Sequence, residues 1–366
     1  MVDGEAGRRP FVTIGVPTFN RHELLRQTLR SILAQSFGDF EVIVGNDYTA
    51  EVLTGELLGI SDPRIRFVNH PYNLREVGNM NALLALANGR YFTWLFDDDL
   101  YEPDFLRTAH DCLAEAGFPP AFFSSFRMLR AGEEHHPRNF DRSRAELLTG
   151  REFLRRYSPR NPVVVSTCGL FDRAALRKIV GGVEELCDSA VGVYCEYLFL
   201  VRCALLDRIV HVNLPLVLFR IHAESWSESP SELEKYLAAG RELVKRCAVV
   251  LRHPSLAADS DANLLAICEQ HLVTVAHRLA RLAVARGLGI GAVCRSLASY
   301  RREAAQTRGY FLQAGGNANV RNRFALGKIN VGCYYVIAAN LGSAIYRRMK
   351  GGDVSPGGQH EDGASQ

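Results

Sequence analysis

Two apolar periods alternate along the first third of the chain. Phe11–Val16, "FVTIGV", is a continuous apolar run of strand type, stopped by the breaker and loop "PTFN" at Pro17–Asn20. Arg21–Ser36 places apolar residues at 24, 25, 29, 32 and 33, the spacing of a helix with one buried stripe. Phe40–Val44 predicts a second strand, stopped by Gly45-Asn46-Asp47, and Ile65–Asn69 a short third one. Asn79–Ala87 reads as a helix closed by Asn88-Gly89, Tyr91–Phe96 as a fourth strand, and Pro103–Ala116 as a helix with Pro near its start. This β-α-β-(α)-β-α-β-α order predicts an α/β fold, with a largely parallel sheet and helices on both faces. Ligands of such sheets bind outside the carboxyl ends of the strands. The polar clusters at 17–20, 45–47 and 97–99 all fall at such ends, so they should share one crevice.

Beyond residue 120 the pattern is mixed. "AFFSSF", "VVVSTCGLF" and "RIVHVNLPLVLFRIH" predict strands, and "EYLFLVRCALL" a helix. From Ser231 the pattern is helical over 231–252, 260–286 and 290–306. Ile329–Tyr346 is an uncharged stretch of 18 residues between Lys328 and Arg347. Its length just reaches a membrane span, but it holds two Asn, two Gly and a Ser, which favours a buried or interfacial helix. The expected division is a flexible 1–10, a main domain over 11–225, a helical domain over 226–350 and a disordered tail over 351–366.

Charge sharpens that division. The chain of 366 residues has a net charge of +3, but residues 1–225 carry 25 Lys+Arg against 29 Asp+Glu, while 226–350 carry 18 against 8. The basic helical part suits an acidic surface or carrier, or it is a solvated helix face. Hydrophobic content of 47% and charged content of 23% are those of a globular protein, and disfavour a disordered or fibrous one. Nine cysteines, an odd count with no C-x-x-C pair, read as reduced thiols of a cytosolic protein; the polar start "MVDGEAGRRP" does not read as a signal peptide.

The chemistry centres on "WLFDDDLYEP", Trp94–Pro103. Three adjacent carboxylates at the end of an apolar strand repel one another, and a cation relieves that cost. Mg²⁺ or Mn²⁺ takes oxygen ligands, and Mg²⁺ is held by one or two carboxylates plus substrate phosphates, so a phosphate ester is the expected substrate. A phosphatase built on Asp97-x-Asp99 is a weak alternative, because positions 100 and 101 are Leu and Tyr and the usual Thr is absent.

The ordered set "VTIGVPTFN…SILAQSFGDFEVIVGND…YFTWLFDDDLYEP" resembles the family 2 nucleotide-sugar glycosyltransferases of GT-A fold, over about residues 11–225. The resemblance implies a Rossmann-like, mostly parallel sheet and a metal-dependent, inverting transfer of sugar from a UDP-sugar to an acceptor hydroxyl or amine. Such transfer serves natural-product or cell-surface glycan synthesis. It implies that Asp47 binds the uracil ring, that Pro17, Thr18 and Asn20 lie over the nucleotide, and that Asp97, Asp98 and Asp99 hold the ribose and the metal, Asp98 foremost. The family's usual first Asp of D-x-D is Phe96 here, which leaves the division of labour among the three acids open.

By the same resemblance Arg75 stands where Gly is common, as a candidate diphosphate contact in place of a family Arg absent near Met80–Asn81. "LFRIHAES" matches a late motif whose Arg220 and His222 approach the diphosphate or metal. Gly169 and its neighbours would floor the acceptor pocket. Glu196 in "VYCEYLFLVR" would be the general base, with Asp188 in reserve; a Glu at that place also suits the helix dipole. The expected cofactor is Mg²⁺ or Mn²⁺ and the donor UDP-GlcNAc or UDP-Glc. The acceptor is a small molecule or is carrier-bound or lipid-linked, and nucleic acid is not an expected partner. A cytoplasmic protein, with peripheral contact at the inner membrane face and a homodimer both left open, is the expected setting. A non-catalytic nucleotide-sugar-binding module is the alternative.

Overall fold

The computed structural model describes residues 9–130, 145–156, 166–222, 233–285 and 290–317, with positions 133, 134, 136 and 138 between the first two segments. The stretch 329–346, the tail from 351 and most of residues 1–10 lie outside the described residues.

The first strands follow the predicted order. They are β1 (Val12–Thr18), β2 (Phe40–Asn46), β3 (Ile65–Asn69) and β4 (Tyr91–Trp94), paired parallel in the order β3-β2-β1-β4. Every residue of β1 is buried, as expected of a central parallel strand covered on both faces. Between the strands lie α1 (His22–Leu33), α2 (Gly55–Leu58) and α3 (Arg75–Leu86). Helix α1 buries Leu25, Thr28, Leu29 and Ile32 on one face.

Helix α3 starts four residues earlier than the apolar period indicates. Its first turn is held by polar contacts: Asn73 Oδ1 accepts the Arg75 N–H at 2.7 Å, and the Glu76 N–H donates to the Ala190 carbonyl at 3.0 Å. Asn79 then donates to the Gly45 carbonyl at 2.8 Å, and a Cβ at Gly45 would stand 2.1 Å from Asn79 Oδ1. That close approach sets the start of α3 over the end of β2. Strand β4 ends at Trp94, two residues short of expectation, after which the chain turns through the three acids into β5 (Leu100–Tyr101).

The sheet continues beyond β4. After α4 (Phe105–Glu115) come β6 (Ala121–Arg130), β7 (Glu146–Leu148), α5 (Gly150–Arg156), β8 (Gly169–Asp172), α6 (Arg173–Ala175), α7 (Cys195–Cys203) and β9 (Ile209–Ile221). Strand β8 is antiparallel to both β4 and β6, while β6 and β9 are parallel. The closing strands predicted from "RIVHVNLPLVLFRIH" are one 13-residue strand, β9, which also pairs antiparallel with β5 and β7. The Leu100↔Leu218 register brings Arg220 beside the acids.

Helices α8 (Leu233–Leu251), α9 (Ser260–Ala285) and α10 (Ile290–Gln313) form the C-terminal region. Their buried residues, from Tyr236 to Phe311, belong to the same apolar cluster as β1 and α7, so they pack as an extension of one core. Among the described residues no helix is long and apolar enough to cross a membrane, and no disulfide links the cysteines.

Candidate active site

A cavity of about 530 Å³ opens at the carboxyl ends of β1, β2 and β4. Pro17 and Thr18 come from the end of β1, Asp47 from just past β2, and Asp97 and Asp98 from the turn after β4. The start of α3 adds Arg75 and Glu76, and residues 190–194 with Glu196 and Tyr197 form the facing wall. Tyr236 of α8 and Thr274 of α9 complete it, so the C-terminal helices are part of the site.

The three acids point different ways. Asp97, 5% exposed, accepts from Thr18 Oγ1 at 2.7 Å and from Arg21 at 3.3 Å. Burial and the neighbouring Asp98 push its carboxyl up, while Arg21 and Thr18 pull it down. Asp98 Oδ2 contacts Arg21 at 3.0 Å and His222 Nε2 at 3.1 Å. Asp99 turns inward, away from the cavity lining: Oδ1 accepts the Arg220 N–H at 3.1 Å, and Oδ2 is a buried oxygen without a partner among the described residues.

Arg220 lines the cavity but commits its guanidinium to the protein. It donates to the Asp98 carbonyl, to Gln27 Oε1 at 2.6 Å, and to the Leu24 carbonyl and Thr28 Oγ1 at 3.3 Å each. Arg220 therefore clamps α1 and β9 to the acidic turn. Arg21, which in sequence is an ordinary helix-start residue, places its guanidinium against the Asp97 and Asp98 carboxylates. Its signal was its place directly after the "PTFN" loop.

Asp47 is 3% exposed and accepts the Leu74 N–H at 2.6 Å. Burial raises its carboxyl, and the Leu74 hydrogen bond pulls the other way. Arg75, held at φ 62°, lines the cavity and pairs with Asp188, whose side chain is 89% exposed and outside the lining. Asn20, at φ 52°, is exposed and also outside the lining; its neighbour Phe19 reaches the cavity instead. His222 is outside the cavity lining and meets Asp98. Gly169 opens β8 beneath Phe123 and Phe171, where a Cβ would meet both rings within 3.0 Å, so it packs in the core and does not floor the pocket.

Glu196 sits in the first turn of α7, half-buried and open to the cavity. Its Oε1 accepts the Ser166 N–H at 3.1 Å and the Ser166 hydroxyl. Burial raises its carboxyl against the pull of Ser166, which brings it nearer to neutral pH as a base requires. Across from it, burial and then the Glu196 charge push Glu76 up to about 7. Glu76 carried no sequence signal, because it belongs to the helical turn that lacks apolar periodicity.

Glu76 yields a pH prediction. Its folded pKa lies above the ordinary 4.5, so its contribution to stability is full below that value and is lost as pH rises through about 7. The thermal midpoint of the parent should fall across this window, and Glu76→Gln should flatten that fall. Identical slopes for the two proteins would exclude Glu76 as the titrating group.

Residues 13–180 match the family model described as Glycosyl transferase family 2. The chain carries a family 2 glycosyltransferase domain. The GalNAc(5)-diNAcBac-PP-undecaprenol beta-1,3-glucosyltransferase of Campylobacter jejuni is 38% identical over 93 residues, 25% of this chain and 30% of that one. WfgD of Escherichia coli, a UDP-Glc:alpha-D-GlcNAc-diphosphoundecaprenol beta-1,3-glucosyltransferase, is 28% identical over 90 residues, 25% of this chain and 36% of that one. The chain thus aligns with about a third of each relative's length. In three dimensions the glycosyltransferase domain and its helical extension superpose on S. aureus TarS 1–349, solved with UDP-GlcNAc. The TM-score is 0.59 at 16% identity, over 97% of this chain and 98% of that one. The fold is the GT-A arrangement, a mixed, mostly parallel sheet flanked by helices with a helical C-terminal region.

Proposed function

We propose that the protein transfers a sugar from a UDP-sugar to an acceptor hydroxyl, with inversion at the anomeric carbon. One observation carries the reading: Asp47, the Asp97–Asp98 pair and Glu196, from three separate parts of the chain, line one cavity at the carboxyl ends of the parallel strands. Asp47 accepts the uracil N3–H, and Pro17 and Thr18 lie beside the nucleoside. Glu196 takes the proton of the acceptor hydroxyl. The acceptor oxygen forms its bond to the anomeric carbon as the bond to the UDP oxygen breaks. UDP leaves, and the proton stays on Glu196.

The donor set suits a hard divalent cation. Asp97 and Asp98 present carboxylate oxygens at the cavity, and two carboxylates with substrate phosphates suffice for Mg²⁺. Among the described residues no three ligating side chains converge, so the substrate would complete the shell. Asp97 and Asp98 would hold Mg²⁺ or Mn²⁺, with His222 against Asp98, and the ion would supply positive charge beside the leaving diphosphate. Arg21, already at both carboxylates, is the protein's own cation there.

A UDP-sugar donor is supported by the similarity of the fold to a protein solved with UDP-GlcNAc, and UDP-GlcNAc and UDP-Glc are the donors to test first. A lipid-linked acceptor is supported by the two bacterial relatives, which are named for undecaprenol-linked acceptors. The basic C-terminal region would favour such an anionic carrier, with association weakening as salt rises and the Debye length shrinks from about 10 Å at 0.1 M to about 3 Å at 1 M.

The test is release of UDP from these donors by the purified protein with Mg²⁺ or Mn²⁺. Binding without turnover toward any acceptor or water would favour the non-catalytic module. Asp47→Ala should weaken UDP by about 1.5–3 kcal/mol, the worth of a hydrogen bond to a charged group. Calorimetry giving equal affinities would remove Asp47 from the uracil site.

A further inference from the structure

We propose that Tyr194, His271 and Glu303 form a buried relay through which the C-terminal helices position the cavity wall that carries Glu196. The proposal rests on the reading of Glu196 as the base.

The three groups lie on three elements and are all buried. Tyr194, 5% exposed, caps the start of α7 two residues before Glu196. His271, 1% exposed, is on α9, and Glu303, 4% exposed, is on α10. The Tyr194 hydroxyl is 3.2 Å from His271 Nδ1, and His271 Nε2 is 2.9 Å from Glu303 Oε1. An ionised carboxylate only accepts, so Nε2 carries the hydrogen. The imidazole thus joins the Tyr194 hydroxyl to the Glu303 carboxyl through its two ring nitrogens.

Two features show that the arrangement is built around the imidazole. First, α8 makes room for it: a Cβ at Gly240 would stand 2.0 Å from His271 Cε1. Second, Tyr194 is held at φ 59°, a left-handed conformation unfavourable for a non-glycine residue. Such a residue persists where its surroundings over-determine it. Here the hydroxyl is fixed by His271, and the ring lies edge-on to Tyr197 at 5.6 Å and to Tyr236 of α8 at 5.3 Å.

The consequence reaches the reacting centre. Tyr194 is the last residue of the cavity-lining stretch 190–194 and leads into the first turn of α7, so it sets where Glu196 points. Asp47 and the acids hang from the opposite, sheet side. Loosening the relay should misplace the base and leave the nucleotide site intact. Misplacement of a catalytic group by about 1 Å can cost up to about 10²-fold in rate. Tyr194, His271 and Glu303 are positioning residues in this scheme.

The experiment pairs Tyr194→Phe, which removes one oxygen, with Glu303→Ala, Glu303→Gln and the double variant Tyr194→Phe/Glu303→Ala. Each is measured for kcat and KM with UDP-sugar, for UDP binding by calorimetry, and for hydrogen exchange of residues 190–200 by mass spectrometry. Tyr194→Phe and Glu303→Ala should each lower kcat about tenfold or more, with UDP affinity within about twofold of the parent. Exchange at 190–200 should rise in both. The double variant should be no worse than the poorer single one, because both break the same chain. Glu303→Gln keeps an acceptor oxygen and should recover most of the loss. Parent-like exchange and kcat in Tyr194→Phe would overturn the proposal, as would losses that multiply in the double variant. Should Glu303→Ala fail to fold, Tyr194→Phe decides by the same readouts. Exchange and UDP binding need no turnover, so a parent that binds UDP but transfers nothing defeats the proposed reaction while the exchange comparison still judges the relay.

Discussion

Asp98→Ala should abolish sugar transfer, a fall in kcat on the order of 10³-fold, the scale of losing an electrostatic group at the charge that develops on the leaving diphosphate. Asp98 opens into the cavity beside Asp97 and touches both Arg21 and His222. Its removal takes an oxygen from the cation site and one contact from each of those two side chains. Asp99→Asn is the contrast. Asp99 faces inward onto the Arg220 N–H and is outside the lining, so its loss should appear first in stability, as an earlier unfolding midpoint in urea. Near-normal turnover of Asp98→Ala at saturating Mn²⁺ would end the assignment of Asp98.

Glu196→Gln should lower turnover on the order of 10²–10⁴-fold, the range for a lost general base. The amide keeps the side chain's shape and an acceptor for Ser166, so folding and UDP affinity should hold. Removing a carboxylate also relieves Glu76, so Glu76 should titrate lower in this variant. A collapse of UDP affinity would instead make Glu196 a structural or ligating group. Asp188 is then a poor substitute as it stands, being exposed, outside the cavity lining and paired with Arg75.

Much of the site was legible because its residues punctuate strong local patterns. Asp47 and the triple acid follow apolar runs, and Glu196 precedes one; each interruption of a buried segment by charge is visible in one dimension. Arg21 and Glu76 were not visible, for the opposite reason. Both stand where a helix begins, where charged residues are ordinary, and only the cavity shows that they face the acids and the base. The contact between Arg220 and Asp99 was also undetermined in sequence, because the register of β5 on β9 decides that they meet each other.

The sequence by itself determined the α/β order, the parallel strands and the carboxyl-end crevice, since periods of 2 and 3.6 and their breakers are local properties of the chain. It also determined that helices follow residue 231. The tertiary structure alone decided what those helices are for. Tyr236 and Thr274 enter the cavity, and His271 reaches Tyr194 across 77 positions of sequence. A hydrogen bond between side chains so far apart leaves no periodic trace, because it depends on how α8, α9 and α10 pack against α7, and that packing is fixed by shape and burial over the whole core.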